Sequence, residues 1–158
     1  MQVDIYTDGA ARRNSEGPGG YAAVLEYRDP KGILHTKEIS GAYEKTTNNR
    51  MELMAAIAGL EALNRPCEVF LYSDSKYLVD AFNQNWIEGW QRKGWITSGG
   101  GKVKNISLWK RLLEAGKQHQ LHFIWVKGHA GHPQNERCDE LATYAADHGP
   151  WMIDDLGE

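Results

Sequence analysis

"TTNNRMELMAAIAGLEALN" (residues 46–64), followed after Arg65-Pro66 by "CEVFLYSD" (67–74), decides the fold class. In the first stretch Leu53, Ala56, Ile57, Leu60 and Leu63 recur at the three- and four-residue spacing of a helical stripe, and Thr47 or Asn48 stands where a cap belongs. The second is a β-rich apolar run of strand length that stops at a carboxylate. A helix running into a strand, with more such alternation downstream, predicts a layered α/β sheet.

Toward the amino terminus the pattern changes to strands alone. "VDIYTD" (3–8) alternates, with Val3 and Ile5 on one face and Tyr6 and Asp8 on the other. "GGYAAVLEYR" (19–28) and "GILHTKEISGAY" (32–43) flank a turn at "DPKG", so the first three strands read as an antiparallel meander. Toward the carboxyl terminus come two helical segments, "SKYLVDAFN" and "WIEGWQR", and a loop at "TSGGGK". The amphipathic helix "NISLWKRLLEAGKQH" (105–119) follows, capped by Asn105 or Ser107, then the strand "LHFIWVKG" (121–128). The last helix, "HPQNERCDELATYAAD" (132–147), has Pro133 near its first turn, where a missing N–H costs little. The expectation is one α/β domain over residues 1–148, with a mixed five-stranded sheet flanked by helices on both faces. Residues 149–158 are expected to form an acidic, loosely held tail.

The 158-residue chain is 41% hydrophobic and 25% charged, an ordinary globular balance. It has no run of about 20 apolar residues and no basic-then-apolar start, so a cytoplasmic protein with no membrane contact is expected. Cys67 and Cys138, far apart and outside any CxxC pattern, suit a reducing compartment. A net charge of −3 argues against nucleic-acid binding, but its distribution argues for it. Between Trp86 and Gln118 stand seven Lys or Arg (Arg92, Lys93, Lys102, Lys104, Lys110, Arg111, Lys117) against Glu88 and Glu114. From Asp139 onward there are six acids and no Lys or Arg. Such polarity gives an acidic chain a basic face.

Asp8 and Asp74 each close a strand, and open α/β sheets place ligand chemistry beyond the carboxyl ends of their strands. Glu52 and Asp139 sit on helices at the rim of core-facing surfaces. Taken singly, each acid reads as a cap, a turn residue or an ion-pair partner. Together on one sheet edge they repel, by about 3 kcal/mol per pair at ~5 Å and an effective dielectric of ~20. Such a cluster persists with cations, and hard oxygen donors select Mg²⁺ or Mn²⁺. His129, His132 and Cys138 lack the paired spacing of a zinc site. Behind Asp8, the loop "DGAARRNSEGPGG" (8–20) reads either as a phosphate cradle or as a hairpin turn.

"YTDGA" with Asp8, "TTNNRMELMAA" with Glu52, "YSDS" with Asp74 and "WVKGHAGHPQNERCDELA" with His129 and Asp139 resemble the type 1 ribonucleases H. The likeness extends to "WIEGWQRKGW", the helix of the bacterial enzymes' basic handle (here 86–104), and runs in order from about residue 3 to 147. It implies the ribonuclease H fold and a monomeric endonuclease that cuts the RNA strand of RNA/DNA hybrids with two Mg²⁺ ions, leaving 3′-hydroxyl and 5′-phosphate ends. Mn²⁺ is a possible substitute. By that resemblance Asp8, Glu52, Asp74 and Asp139 are the metal ligands, and His129 is a mobile base or proton shuttle. Asn14, Thr47, Asn48, Asn49, Arg50 and Lys76 contact the substrate, as do Trp86, Arg92, Lys93, Lys102 and Lys104 of the handle. Among these, Thr47 or an asparagine can also serve as a helix cap, Arg50 as a salt-bridge partner, and Trp90 and Trp95 as core. The chain departs from the family pattern in three places. Arg13 and Ser15-Glu16 alter and lengthen the first loop, Lys76 replaces a common Gln, and the handle has few lysines, with Glu88 among them. Weaker or more salt-sensitive hybrid binding is expected from this. A DNA-directed nuclease of the same fold would not need the "TTNNRMEL" donors, and a non-catalytic binding module would be expected to lack a carboxylate.

Overall fold

In the computed structural model the described residues are 1–13, 16–128 and 132–154. Strands β1 (Gln2–Ala11), β2 (Gly19–Arg28) and β3 (Leu34–Tyr43) form the antiparallel meander. Helix α1 (Asn48–Glu61) crosses to β4 (Glu68–Ser73), which lies parallel to β1. Helices α2 (Lys76–Asn83), α3 (Trp86–Arg92) and α4 (Ile106–Gly116) lead to β5 (Gln120–Trp125), parallel to β4, and α5 (Pro133–His148) follows. A sixth strand, β6 (Trp151–Met152), completes the spatial order β5-β4-β1-β2-β3-β6.

Alternation along β1 assigns the two layers. Val3 and Ile5 join Ala23 and Leu25 in the main core under α1, while Tyr6 joins Ala22 and Val24 in a smaller core with Cys138 and Ala142 of α5. The predicted single stripe on α1 is too narrow. Every residue from Arg50 to Ile57 is buried, because the sheet covers one side of the helix and α4 packs on the other. Thr47 caps α1 by accepting from the Arg50 N–H at 3.1 Å.

Three expectations need correction. Asp8 does not end its strand. Gly9, Ala10 and Ala11 continue β1 opposite Tyr21, Gly20 and Gly19, because small residues on both strands let the ladder run on. The Arg12 N–H donates to the Pro18 carbonyl at 2.9 Å, so the loop beyond is shorter than the quoted stretch.

The sheet has six strands, not five, and the described part of the tail is not loose. Trp151 and Met152 pair parallel with Ala42 and Tyr43, a strand too short for an alternating pattern to reveal. The Trp151 Nε1–H donates to the Ala146 carbonyl, and the Glu44 N–H to that of Met152. Asp154 then anchors the segment. Its carboxylate accepts two bonds from Arg50, both 2.8 Å, and one from the Thr46 hydroxyl at 2.6 Å.

The third correction concerns the cap of α4. Asn105 holds the N-cap position in a left-handed conformation (φ 61°) that asparagine tolerates, but its side chain caps nothing. It accepts from Arg50 Nη1 at 3.0 Å and donates to the Tyr77 hydroxyl at 3.1 Å, which also accepts from the Trp109 indole. Asp154, Arg50, Asn105, Tyr77 and the fully buried Trp109 thus form one chain of polar contacts through the core. Removing one partner from a buried ion pair strands the other charge, which typically costs ~3 kcal/mol or more. Asp154→Ala is therefore expected to lower the unfolding free energy by about that amount, measured by urea titration. A loss below about 0.5 kcal/mol would show that the tail does not anchor α1.

Candidate active site

The sheet order places the site. From β1 the chain runs to β2 and β3 on one side, and β4 and β5 build outward on the other, so the order reverses between β1 and β4. The β1–β4 ladder runs only as far as Tyr6–Tyr72, whereas β1 stays paired with β2 through Ala11. Beyond Tyr6 the two parallel strands part, and ligands of open α/β sheets bind in such a gap. Asp8 lies on one side of it and Asp74, directly after β4, on the other.

Glu52 enters from α1, and a close backbone approach sets its position. A β-carbon on Gly9 would stand 2.6 Å from the Glu52 nitrogen and 2.5 Å from the Met51 carbonyl carbon, so only glycine lets α1 sit this low on β1. One carboxylate oxygen from each of Asp8, Glu52 and Asp74 falls within 4.8 Å of the others. Asp139, on the exposed side of α5, approaches Asp8 within hydrogen-bonding range but does not join the tight trio. The Gly9 N–H donates to Asp8 Oδ1 at 2.9 Å. Glu52 Oε1 is buried without a hydrogen-bond partner. A buried glutamate with an unsatisfied oxygen, clustered with two further carboxylates, is a donor set that fits a hard divalent cation.

Electrostatics point the same way. Burial, reinforced by the charges of Asp74 and Asp139, pushes the Asp8 carboxyl up to about 8. Burial, with the charges of Asp8 and Asp74, holds Glu52 well above the carboxylate range. The Cys138 thiol is pushed up to about 12 by burial and donates to the Tyr6 carbonyl, while the His132 ring tilts against Tyr6 and Tyr72. Cys138 is therefore a packed thiol, in keeping with the absence of zinc spacing.

The predicted substrate contacts divide. Asn48 and Asn49 are exposed at the start of α1, and Asn48 Oδ1 accepts from the Ala11 N–H at 2.7 Å, tying that helix end to β1. Arg50 is only 3% exposed and its guanidinium donates to Asp154 and Asn105, the salt-bridge alternative that the sequence left open. Lys76 is exposed at the first residue of α2. Asn14 and His129 lie outside the described residues.

In the handle, Trp86 is 38% exposed, and Arg92, Lys93, Lys102 and Lys104 are exposed. Trp86, Trp90 and Lys93 line a shallow cavity of about 300 Å³. Trp90 meets Trp109 edge-on at 5.4 Å and Trp95 at 6.3 Å, so the handle's aromatics continue the main core and do not form a separate one. Trp125, which opens the "WVKGHAGH" motif but was given no role from the sequence, stands beside Asp74, its indole N–H donating to the Asp74 carbonyl.

Comparison with known proteins agrees with this geometry. The RNase H family model matches residues 1–147. The ribonuclease H of Lachnoclostridium phytofermentans is 62% identical over 158 residues, the full length of both chains. The ribonuclease HI of Shewanella oneidensis is 51% identical over 152 residues, 96% of this chain and 92% of the other. Among solved structures, LC9-RNase H1, a type 1 RNase H with the type 2 active-site motif, superposes with a TM-score of 0.83. It is 33% identical, over 92% of this chain and 72% of the other.

The carboxylate cluster predicts a pH-dependent stability without divalent cations. Asp8 has its folded-state pKa raised above its unfolded value, so its contribution is fully present below about pH 4. That contribution is lost as the pH rises toward 8, where a buried charge must form. Asp8→Asn removes that titration while preserving shape. At about pH 8.5 in chelator the variant is expected to melt several degrees above the unmodified protein, about 1 kcal/mol corresponding to roughly 2–4 °C. At about pH 5 the difference should shrink toward zero. An equal difference at both pH values would show that repulsion is not the cause.

Proposed function

The chain belongs to the ribonuclease H family as a type 1, bacterial ribonuclease HI-like member, and we propose that Asp8, Glu52, Asp74 and Asp139 hold two Mg²⁺ ions for endonucleolytic cleavage of RNA in RNA/DNA hybrids. Mn²⁺ is the natural substitute for this oxygen donor set. The observation that carries the reading is the convergence of carboxylate oxygens of Asp8, Glu52 and Asp74 within 4.8 Å of one another, with Glu52 buried and one of its oxygens unsatisfied. When bound, the two ions supply Lewis-acid polarisation of the scissile phosphate and a nucleophilic water near neutral pH.

The chain's own residues do the rest. Asp8 and Glu52, fixed by the β1–α1 contact, hold their oxygens in place before substrate arrives, so little reorganisation accompanies reaction. His129 shuttles the proton that the attacking water loses and the leaving 3′ oxygen needs as the P–O3′ bond breaks. The products are a 3′-hydroxyl and a 5′-phosphate. Thr47, Asn48, Asn49 and Asn14 offer amide and hydroxyl groups to 2′-hydroxyls and minor-groove edges, the features that separate RNA from DNA. Trp86, Arg92, Lys93, Lys102 and Lys104 take the DNA strand's phosphates. Arg50 supports α1 from behind. Among the described residues no helix is long and apolar enough to cross a membrane. A monomeric enzyme of the cytoplasm is part of the same proposal.

Labelled RNA/DNA, RNA/RNA and DNA/DNA duplexes, each with Mg²⁺ or chelator, test the reading. Cleavage of the RNA strand of the hybrid alone, and only with the metal, is expected, and Asp8→Asn or Asp74→Asn should abolish it while hybrid binding persists. Cleavage of the DNA duplex, or near-normal turnover by both variants, would overturn it. His129→Ala should lower kcat about 100-fold, leave KM nearly unchanged and keep metal affinity close to that of the unmodified protein. A loss of metal affinity as large as that of Asp8→Asn would make His129 a ligand or its support.

A further inference from the structure

Lys76 is out of place by ordinary helix electrostatics. It is the first residue of α2, where the exposed amide groups and the helix dipole disfavour a cation. Among the described residues it makes no ion pair. Its ammonium lies instead over the ring of Trp125, 4.6 Å from the centroid. The Trp125 ring is itself fixed, because its Nε1–H donates to the Asp74 carbonyl at 3.2 Å while 41% of the residue stays exposed. Ser75 holds the start of α2, its hydroxyl accepting from the Leu78 N–H and its own N–H donating to Ser73 Oγ.

A cation on an indole face keeps its charge and its outward donors while losing freedom of movement. The hydrogen bond to the Asp74 carbonyl ties the same indole, and with it the ammonium, to the backbone of a residue of the proposed metal cluster. A lysine is a point charge with three rotating donors, suited to a phosphate rather than to the hydrogen-bonding edge of a base. An anion arriving there also reverses the sign of the interaction with the α2 dipole.

We infer that Trp125 is a positioning residue, holding the Lys76 ammonium on its ring so that it takes the RNA-strand phosphate next to the scissile one. The inference rests on the proposed cleavage of hybrids and adds to it a residue and a ligand group. It makes the pair a unit. Without the ring, Lys76 swings free and its phosphate contact weakens. Without the ammonium, the ring has nothing to hold.

The test is a double-mutant cycle of Trp125→Leu and Lys76→Met, with KM and kcat on a labelled RNA/DNA hybrid measured across a range of salt concentrations. Each single variant should raise KM about three- to tenfold with kcat within about twofold, and the double variant should resemble either single one. Both should flatten the logarithmic dependence of KM on salt by up to about 0.7–0.9, the share of one phosphate contact. Trp125→Phe, which keeps an aromatic face but lacks the indole N–H that fixes it, should fall between the unmodified protein and Trp125→Leu. Multiplying losses in the double variant, or an unchanged salt slope in Trp125→Leu, would overturn the pairing. If Trp125→Leu fails to fold, Lys76→Met still decides, because an unchanged salt slope there removes the phosphate contact altogether. Hybrid cleavage by the unmodified protein in the same assay separates the two levels. Without it the functional reading falls and this inference with it, whereas with it a failed cycle removes only the pair.

Discussion

Three carboxylates forced together at the end of a sheet are the constraint on which the rest of this structure depends. Asp8 and Glu52 are buried; burial first, then the charges of neighbouring carboxylates, raises their proton affinity, and no Lys or Arg is among the groups that shift it. A protein selected for stability alone would pair such groups or replace them with apolar side chains of similar volume. Here they are held apart from compensation by backbone geometry: the parting of β1 from β4, the glycine contact that seats α1, and the capped start of α2. The instability concentrated at the cluster is what makes it able to bind cations.

The opposing stabilisation lies on the same helical turn. Arg50, two residues before Glu52, faces inward and ties α1 to the end of the chain through Asp154 and to α4 through Asn105. Glu52, on the same turn, is kept in the gap. The start of α1 thus has a buried, fully engaged cation on its inner side and exposed Asn48 and Asn49 on its outer side. The polar chain through Tyr77 to Trp109 extends this brace to the middle of the core.

Most of the architecture and the four acids were legible in the sequence because each rests on local pattern. Strand alternation, helical spacing and carboxylates at element ends survive without knowledge of distant contacts. What could not be read depends on contacts remote in the chain. A two-residue strand has no period to detect, yet β6 forms because Trp151 reaches Ala146 and Met152 reaches Glu44. The inward turn of Arg50 required a partner 104 residues later, which was left open between substrate and salt bridge. Trp125 was read only as part of an apolar strand and as the first residue of the "WVKGHAGH" motif, with no role of its own, since its importance lies in meeting Lys76 and Asp74 across loops. The extra length of β1 was hidden because Gly9, Ala10 and Ala11 read as loop until Tyr21, Gly20 and Gly19 are seen opposite them.

The handle shows why charge and packing must be read together. Its Lys and Arg side chains give an acidic chain one basic face, but a basic segment on a soft hinge would hold substrate without aligning it. Trp90 removes that softness by packing edge-on against Trp109, and Lys110 lies over Trp95 at 5.7 Å from its centroid. Trp109 is also where the polar chain from Arg50 and Asp154 ends. The basic surface and the carboxylate cluster are therefore braced against the same buried indole. The handle and α1 are thereby tied to one rigid core, so the exposed basic side chains and the carboxylates are held at a fixed separation.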